Sequence, residues 1–121
     1  MTKYIYVLVD PTDGKVRYVG QAKDCHSRMT GHLNSKDSCV SEWIANLRRM
    51  GQRPQMLVVD EVADSGAGAL EQEWISMLWQ RYPLLNRIAY PYYPWVASPV
   101  MLKWSRVQRQ RKQPATANGA G

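Results

Sequence analysis

The first apolar run, Tyr4-Ile5-Tyr6-Val7-Leu8-Val9, is aromatic and β-branched, and Val16-Arg17-Tyr18-Val19 resumes the same pattern after Pro11-Thr12-Asp13-Gly14. Turn chemistry between two such runs predicts a β-hairpin. Gly20 closes the second strand, where a missing Cβ permits a sharp bend or a close approach of backbone to a ligand. Asp24 reads as the N-cap of a short helix running to about Leu33. Val40, Trp43, Ile44, Leu47 and Met50 then recur at steps of three and four, with Gly51 as a stop, which predicts a second helix. Beyond Pro54, Met56-Leu57-Val58-Val59 predicts a third strand, and residues 64–68 a loop of small residues. Leu70, Trp74, Ile75 and Leu78 share one face of a third helix that ends near Pro83.

The order β-β-α-α-β-α, without internal repeats, points to an α/β (α+β) domain: a small three-stranded antiparallel sheet flanked by helices. Past Asn86 the composition changes. Tyr90-Pro91-Tyr92-Tyr93-Pro94-Trp95 interleaves proline with aromatics, residues 101–110 read as a short basic helix, and residues 114–121 as a flexible end. The domain boundary is therefore expected near residue 87, with a folded domain over 1–86 and an aromatic, proline-rich and basic extension over 87–121.

At 121 residues, 45% apolar and 21% charged, the chain has the composition of one globular domain. Its formal charge of +6 is unevenly spread, because residues 74–121 hold seven basic side chains and no acidic one. A basic end suits phosphate backbones or anionic lipid surfaces. The stretch from Arg106 to Lys112 has little apolar face to bury in a bilayer, so nucleic acid is expected ahead of membrane. No apolar run reaches the length of a membrane span, and Met1–Tyr6 lacks the basic and apolar parts of a secretion signal, so a cytoplasmic protein is expected. Cys25 and Cys39, with His26 and His32, would make a zinc set of poor spacing, since Cys25 and His26 are adjacent; reduced thiols are expected instead.

Candidate chemistry is concentrated in few positions. Tyr6 and Tyr18 lie on consecutive strands and can meet across the hairpin, with Tyr4 on the same face as Tyr6 by alternation. Arg28 and His32 are four apart on the first helix, hence on one face; a guanidinium can clamp a phosphate and an imidazole can move a proton near neutral pH. Glu71 borders the apolar stripe of the third helix, because Trp74 and Ile75 follow at i+3 and i+4, whereas Glu73 is followed there by Ser76 and Met77 and faces solvent. A carboxylate beside an apolar face needs a partner, and a divalent metal is one candidate.

Together, Tyr4-Ile5-Tyr6, Tyr18-Val19-Gly20, Arg28 with His32, Glu71 in Glu-x-x-Trp-Ile, and Leu84-Leu85-Asn86 resemble the successive motifs of the GIY-YIG endonuclease family, over residues 4–86. Tyr4 replaces the naming glycine of the first motif, Val19 an isoleucine of the second, and Gln21 stands where many members carry lysine or serine. The resemblance implies hydrolysis of DNA phosphodiesters with one divalent ion, Mg²⁺ or Mn²⁺, held by Glu71, and no small-molecule cofactor. It also implies Tyr6 as general base, with its pKa drawn down by positive charge, and Arg28 on the scissile phosphate. Tyr18 would orient that pair, His32 would relay the proton or fix Tyr6, and Asn86 would brace the backbone of the site. Gly20, Lys23 and Arg28, with Lys103, Arg106, Arg109, Arg111 and Lys112 of the basic extension, are the expected DNA contacts. The alternatives are a non-catalytic nucleic-acid-binding protein on the same fold, and a protein-interaction module built on residues 90–95.

Overall fold

The computed structural model describes residues 1–86 and 99–112. Strand β1 (Thr2–Val9) is the centre of a three-stranded antiparallel sheet of order β2-β1-β3, flanked by β2 (Val16–Ala22) and β3 (Gln55–Ala63). Helices α1 (Cys25–Asn34) and α2 (Ser41–Arg49) lie between β2 and β3 in sequence. A short 3₁₀ turn (Asp64–Gly66) leads into α3 (Ala67–Leu78), and α4 spans Pro99–Lys112. The turn and the start of α3 occupy the region read from sequence as a loop over 64–68. Residues 114–121, read from sequence as a flexible end, and the Tyr90–Trp95 segment lie outside the described residues.

β1 reads as a continuous apolar run because both of its faces are covered. Ile5, Val7 and Val9 point to one face, with Val16, Val19, Val59, Trp74, Ile75 and Leu78. Tyr6 and Leu8 point to the other, with Ala22 and Met29. The hairpin turns at Gly14, whose φ of 73° lies in the left-handed region that glycine adopts without strain. Asp24 caps α1 as expected, its carboxylate accepting from the Ser27 amide at 3.2 Å. Gly51, with φ 72°, follows the end of α2.

β3 is twice the length of its apolar stretch, because its polar half, Asp60–Ala63, pairs with Thr2–Ile5. The register slips between Ile5, opposite Asp60, and Tyr6, opposite Val58, so a bulge at Val59 puts Asp60 and Val58 on opposite faces of the sheet. Asp60 thereby turns inward, where its carboxylate accepts from Trp74 Nε1 at 3.0 Å and from Lys103 Nζ at 2.9 Å.

That contact bears on the boundary drawn near residue 87. Helix α4 is not a free basic arm: Val100 and Trp104 are each 1% exposed and belong to the same core as Ile5 and Trp74. Trp104 packs edge-on against Trp74 at 6.3 Å and against Tyr82 at 6.0 Å between ring centroids. The basic sequence hid an apolar stripe, since Val100, Trp104 and Val107 recur at helical spacing among the charges.

Trp104→Ala is therefore expected to cost about 3–5 kcal/mol of stability in chemical denaturation. Leu102→Ala, at a side chain 70% exposed on the same helix, should change it by no more than about 0.5 kcal/mol.

Candidate active site

The site forms where α1 crosses the face of the sheet that carries Tyr6. Tyr6 is fully buried, and its cross-strand partner on β2 is Gly20. A Cβ on Gly20 would collide with the Tyr6 hydroxyl and ring, and would sit 2.9 Å from Tyr18 Cε2. The glycine is thus needed for a close approach, and the group that approaches it here is the phenol of Tyr6. Gly20 has an ordinary φ, so the constraint is one of space alone.

The space over Gly20 brings three rings together. Tyr6 and Tyr18 have centroids 6.2 Å apart, and His32 stands edge-on to both, at 5.9 Å from Tyr6 and 5.2 Å from Tyr18. The i, i+4 relation of Arg28 and His32 delivers both to one oxygen. Tyr6 Oη lies 2.7 Å from His32 Nε2 and 3.4 Å from Arg28 Nε. Arginine only donates, so the phenol accepts from Arg28 and has its own proton to give to Nε2.

The charges at this cluster differ from the expectation. Burial dominates at Tyr6 and pushes its pKa above the ordinary 10, outweighing the Arg28 contact that lowers it. Tyr18 is raised for the same first reason. Tyr6 therefore stands as a neutral phenol, not as the acidified one the sequence reading required. His32 moves the opposite way: burial, then the nearby Arg28 charge, lowers it from 6.5 to about 4, so at neutral pH its imidazole is uncharged and its Nε2 can accept the Tyr6 hydrogen bond.

Glu71, on α3, is half-buried, while Glu73 is exposed, matching the contrast drawn from their neighbours on the helix. Burial raises the Glu71 pKa from 4.5; the Gln21 amide and the charges of Arg28 and Lys3 hold it back. Gln21 in turn accepts from Lys3 Nζ at 3.2 Å. Lys3 was missed in the sequence, although the hairpin register sets it diagonally across from Gln21. Among the described residues no three His, Cys, Asp or Glu side chains gather as a metal-binding group. The donor set is one partly desolvated carboxylate, which suits a hard divalent cation that keeps waters and takes phosphate oxygens for its other positions.

Asn86 clasps the edge of β2: its Oδ1 accepts from Val19 N at 2.9 Å and its Nδ2 donates to Val19 O at 2.8 Å. β2 is an edge strand, so these backbone groups have no strand partner on that side, and the amide supplies both bonds at the residue between Tyr18 and Gly20.

The remaining expected contacts are spread out. Lys23 is exposed between β2 and α1, and Arg106, Arg109 and Arg111 are exposed on α4, which packs on α3 and β3. Lys112 is the last residue of α4. Lys103 is tied to Asp60 through both carboxylate oxygens and so already has its counter-charge. Cys25 and Cys39 are free, half-buried thiols. No described helix is long and apolar enough to cross a membrane.

A family model described as the GIY-YIG catalytic domain matches residues 2–82, about two thirds of the chain. The chain belongs to the GIY-YIG family. Membership carries nuclease activity as the general function of the domain, and the α+β fold with its central β1 is consistent with it. No curated protein and no solved structure gives a significant match.

The His32 environment predicts an acid limb of stability. As pH falls through 6.5 the unfolded chain protonates this imidazole, while the folded one resists until about 4. Stability is then lost on acidification across that window, by up to about 3 kcal/mol from this group. Glu71, with its raised pKa, acts in the opposite sense, and Asp10, with a lowered one, acts below its ordinary 3.8. Denaturation curves of wild type and His32→Gln between pH 7 and 4 isolate the effect, since the variant should lack this part of the slope. Gly20→Ala should displace Tyr6 and cost about 1–3 kcal/mol, measured the same way.

Proposed function

We propose that this GIY-YIG protein is a metal-dependent endonuclease that hydrolyses phosphodiester bonds in DNA. The observation that carries the reading is the single phenol oxygen of Tyr6, held between a neutral imidazole at 2.7 Å and a guanidinium at 3.4 Å. A buried tyrosine serving only to pack needs one hydrogen-bond partner for its hydroxyl, whereas this oxygen has a proton acceptor and a cation together.

In this reading Tyr6 acts as a relay. Its oxygen takes a proton from the attacking water as its own proton passes to His32 Nε2, the water oxygen bonds to phosphorus, and the bond to the leaving oxygen breaks. Arg28 binds the scissile phosphate and steadies negative charge on Tyr6. Burial is the larger cause of the lowered His32 pKa, and phosphate beside Arg28 cancels the repulsion that adds to it, so substrate raises the basicity of the imidazole. Tyr18, beside Arg28, orients the guanidinium. Glu71 would hold the divalent ion, Mg²⁺ or Mn²⁺, with Gln21 steadying its carboxylate; when bound, the ion supplies electrostatic stabilisation of charge on the phosphate and leaving oxygen. Asn86 keeps β2 in register under Tyr18.

The test is incubation of the purified protein with supercoiled plasmid and with branched duplexes, in Mg²⁺, in Mn²⁺ or in chelator. Metal-dependent nicking or cutting is expected; binding without cutting under all conditions would instead favour a non-catalytic nucleic-acid-binding protein. Glu71→Gln should abolish cleavage while leaving affinity measured in chelator within about twofold of wild type, and Glu73→Gln should do little to either. Tyr6→Phe should slow turnover by roughly two to four orders of magnitude, whereas Tyr4→Phe should not.

A further inference from the structure

We propose that β3 and α4 form a groove that holds the sugar–phosphate backbone of the DNA substrate, on the flank of α1 opposite the catalytic cluster. The proposal rests on the nuclease reading above and adds where the substrate runs. Helix α1 divides this face of the sheet. Arg28 and His32 hydrogen-bond Tyr6 and line a depression with Tyr18 on one flank, while Cys25, His26 and Met29 line another with Met56 on the other. On that second flank Val58, the cross-strand partner of Tyr6, is 51% exposed.

Val58 is shared by three adjoining depressions. One of about 340 Å³ is walled by Tyr4, Asp60, Lys103 and Arg106; one of about 480 Å³ by Tyr4, Lys23 and Cys25; and the widest, about 920 Å³, by Cys25, His26, Arg53 and Arg111. Tyr4 links the first two and Cys25 the last two, so they make one continuous trough with an apolar floor and cationic walls. The charge balance favours an anion. The lining holds five cations, Lys23, Arg53, Lys103, Arg106 and Arg111, against three carboxylates, Asp24, Asp60 and Glu61; Asp60 is paired with Lys103, Asp24 caps α1, and among the described residues no carboxylate forms an ion pair with Lys23, Arg53, Arg106 or Arg111.

Proximity to the reacting oxygen selects the occupant. Val58 lies directly beside Tyr6 in the sheet, and Tyr4 is two residues from it, about 7 Å at the rise of a β-strand. Two nucleotide steps along a strand of duplex cover a similar length. A strand with its scissile phosphate at Arg28 can therefore continue past the start of α1, by Lys23, into the trough. Deoxyribose suits the Tyr4 and Val58 floor, and phosphates suit the arginines. The packing of α4 acquires a purpose here: docking Trp104 in the core fixes Arg106 and Arg111 at the rim, which a free arm would not do.

The test compares Arg53→Glu and Arg106→Glu with Arg49→Glu, which makes the same change of charge at an arginine of α2 that lies outside the trough. All three side chains are exposed, and thermal melts check that folding is kept. Binding of a fluorescent 30-base-pair duplex is measured in chelator over a range of KCl. The salt dependence of log K should flatten by roughly 0.9 for each of Arg53→Glu and Arg106→Glu, and stay at the wild-type value for Arg49→Glu. Equal losses in all three variants would overturn the groove in favour of diffuse attraction. Wild-type slopes in Arg53→Glu and Arg106→Glu with cleavage intact would overturn the groove and leave the nuclease standing. A wild-type protein that neither binds nor cuts DNA would overturn both.

Discussion

Everything at the site depends on an absence, the Cβ that Gly20 lacks. The phenol of Tyr6 occupies that volume, and any larger residue would push it off the sheet. Because the ring lies flat across the strand pair, its hydroxyl arrives where α1 presents Arg28 and His32 on consecutive turns. The spacing on α1, the cap at Asp24 that starts the helix and the Asn86 clasp that holds β2 are then different means of keeping one oxygen in place.

Burial sets the chemistry of that oxygen. It makes the Tyr6 phenol harder to ionise and the His32 imidazole harder to protonate, so the pair rests in its doubly neutral form, with the proton on oxygen. Such a pair is poorly suited to holding a phenolate at rest and well suited to passing a proton through. Arg28 is the one charged member, and its own pKa is raised first by the hydrogen bond to Tyr6. The balance of the cluster thus turns on the charge that Arg28 faces.

The hairpin, the capped first helix and the amphipathic α2 and α3 were legible in the sequence because each shows a clear period and a clear stop. The Tyr6, Tyr18, Arg28 and His32 grouping was legible as well, through strand alternation and an i, i+4 pair. What could not be read were features that arise from register and packing. Asp60 and Glu61 look like the end of a strand until β1 supplies partners, and only the bulge at Val59 turns Asp60 inward. The charges on α4 outnumber its apolar residues, so the helix passes for a solvated arm unless Val100, Trp104 and Val107 are placed on one stripe. The direction of the Tyr6 shift depends on how deeply the ring is buried, which no motif reports.

The same bulge links the core to the surface beside the site. Without it, Val58 and Asp60 would share a face, as alternate residues of a regular strand do. With it, Asp60 faces inward to bind Trp74 and Lys103, and so fixes α4 to the sheet, while Val58 faces outward beside Tyr6. One extra residue in β3 therefore does two jobs. It anchors the basic helix without spending Arg106 or Arg111 on the anchor, and it opens an apolar strip next to Tyr6. The charge removed from the surface is Lys103, which is neutralised in the process, and the arginines left at the rim are those with no carboxylate among the described residues to hold them back. Helix docking and the exposure of positive charge next to the site are consequences of one change in register.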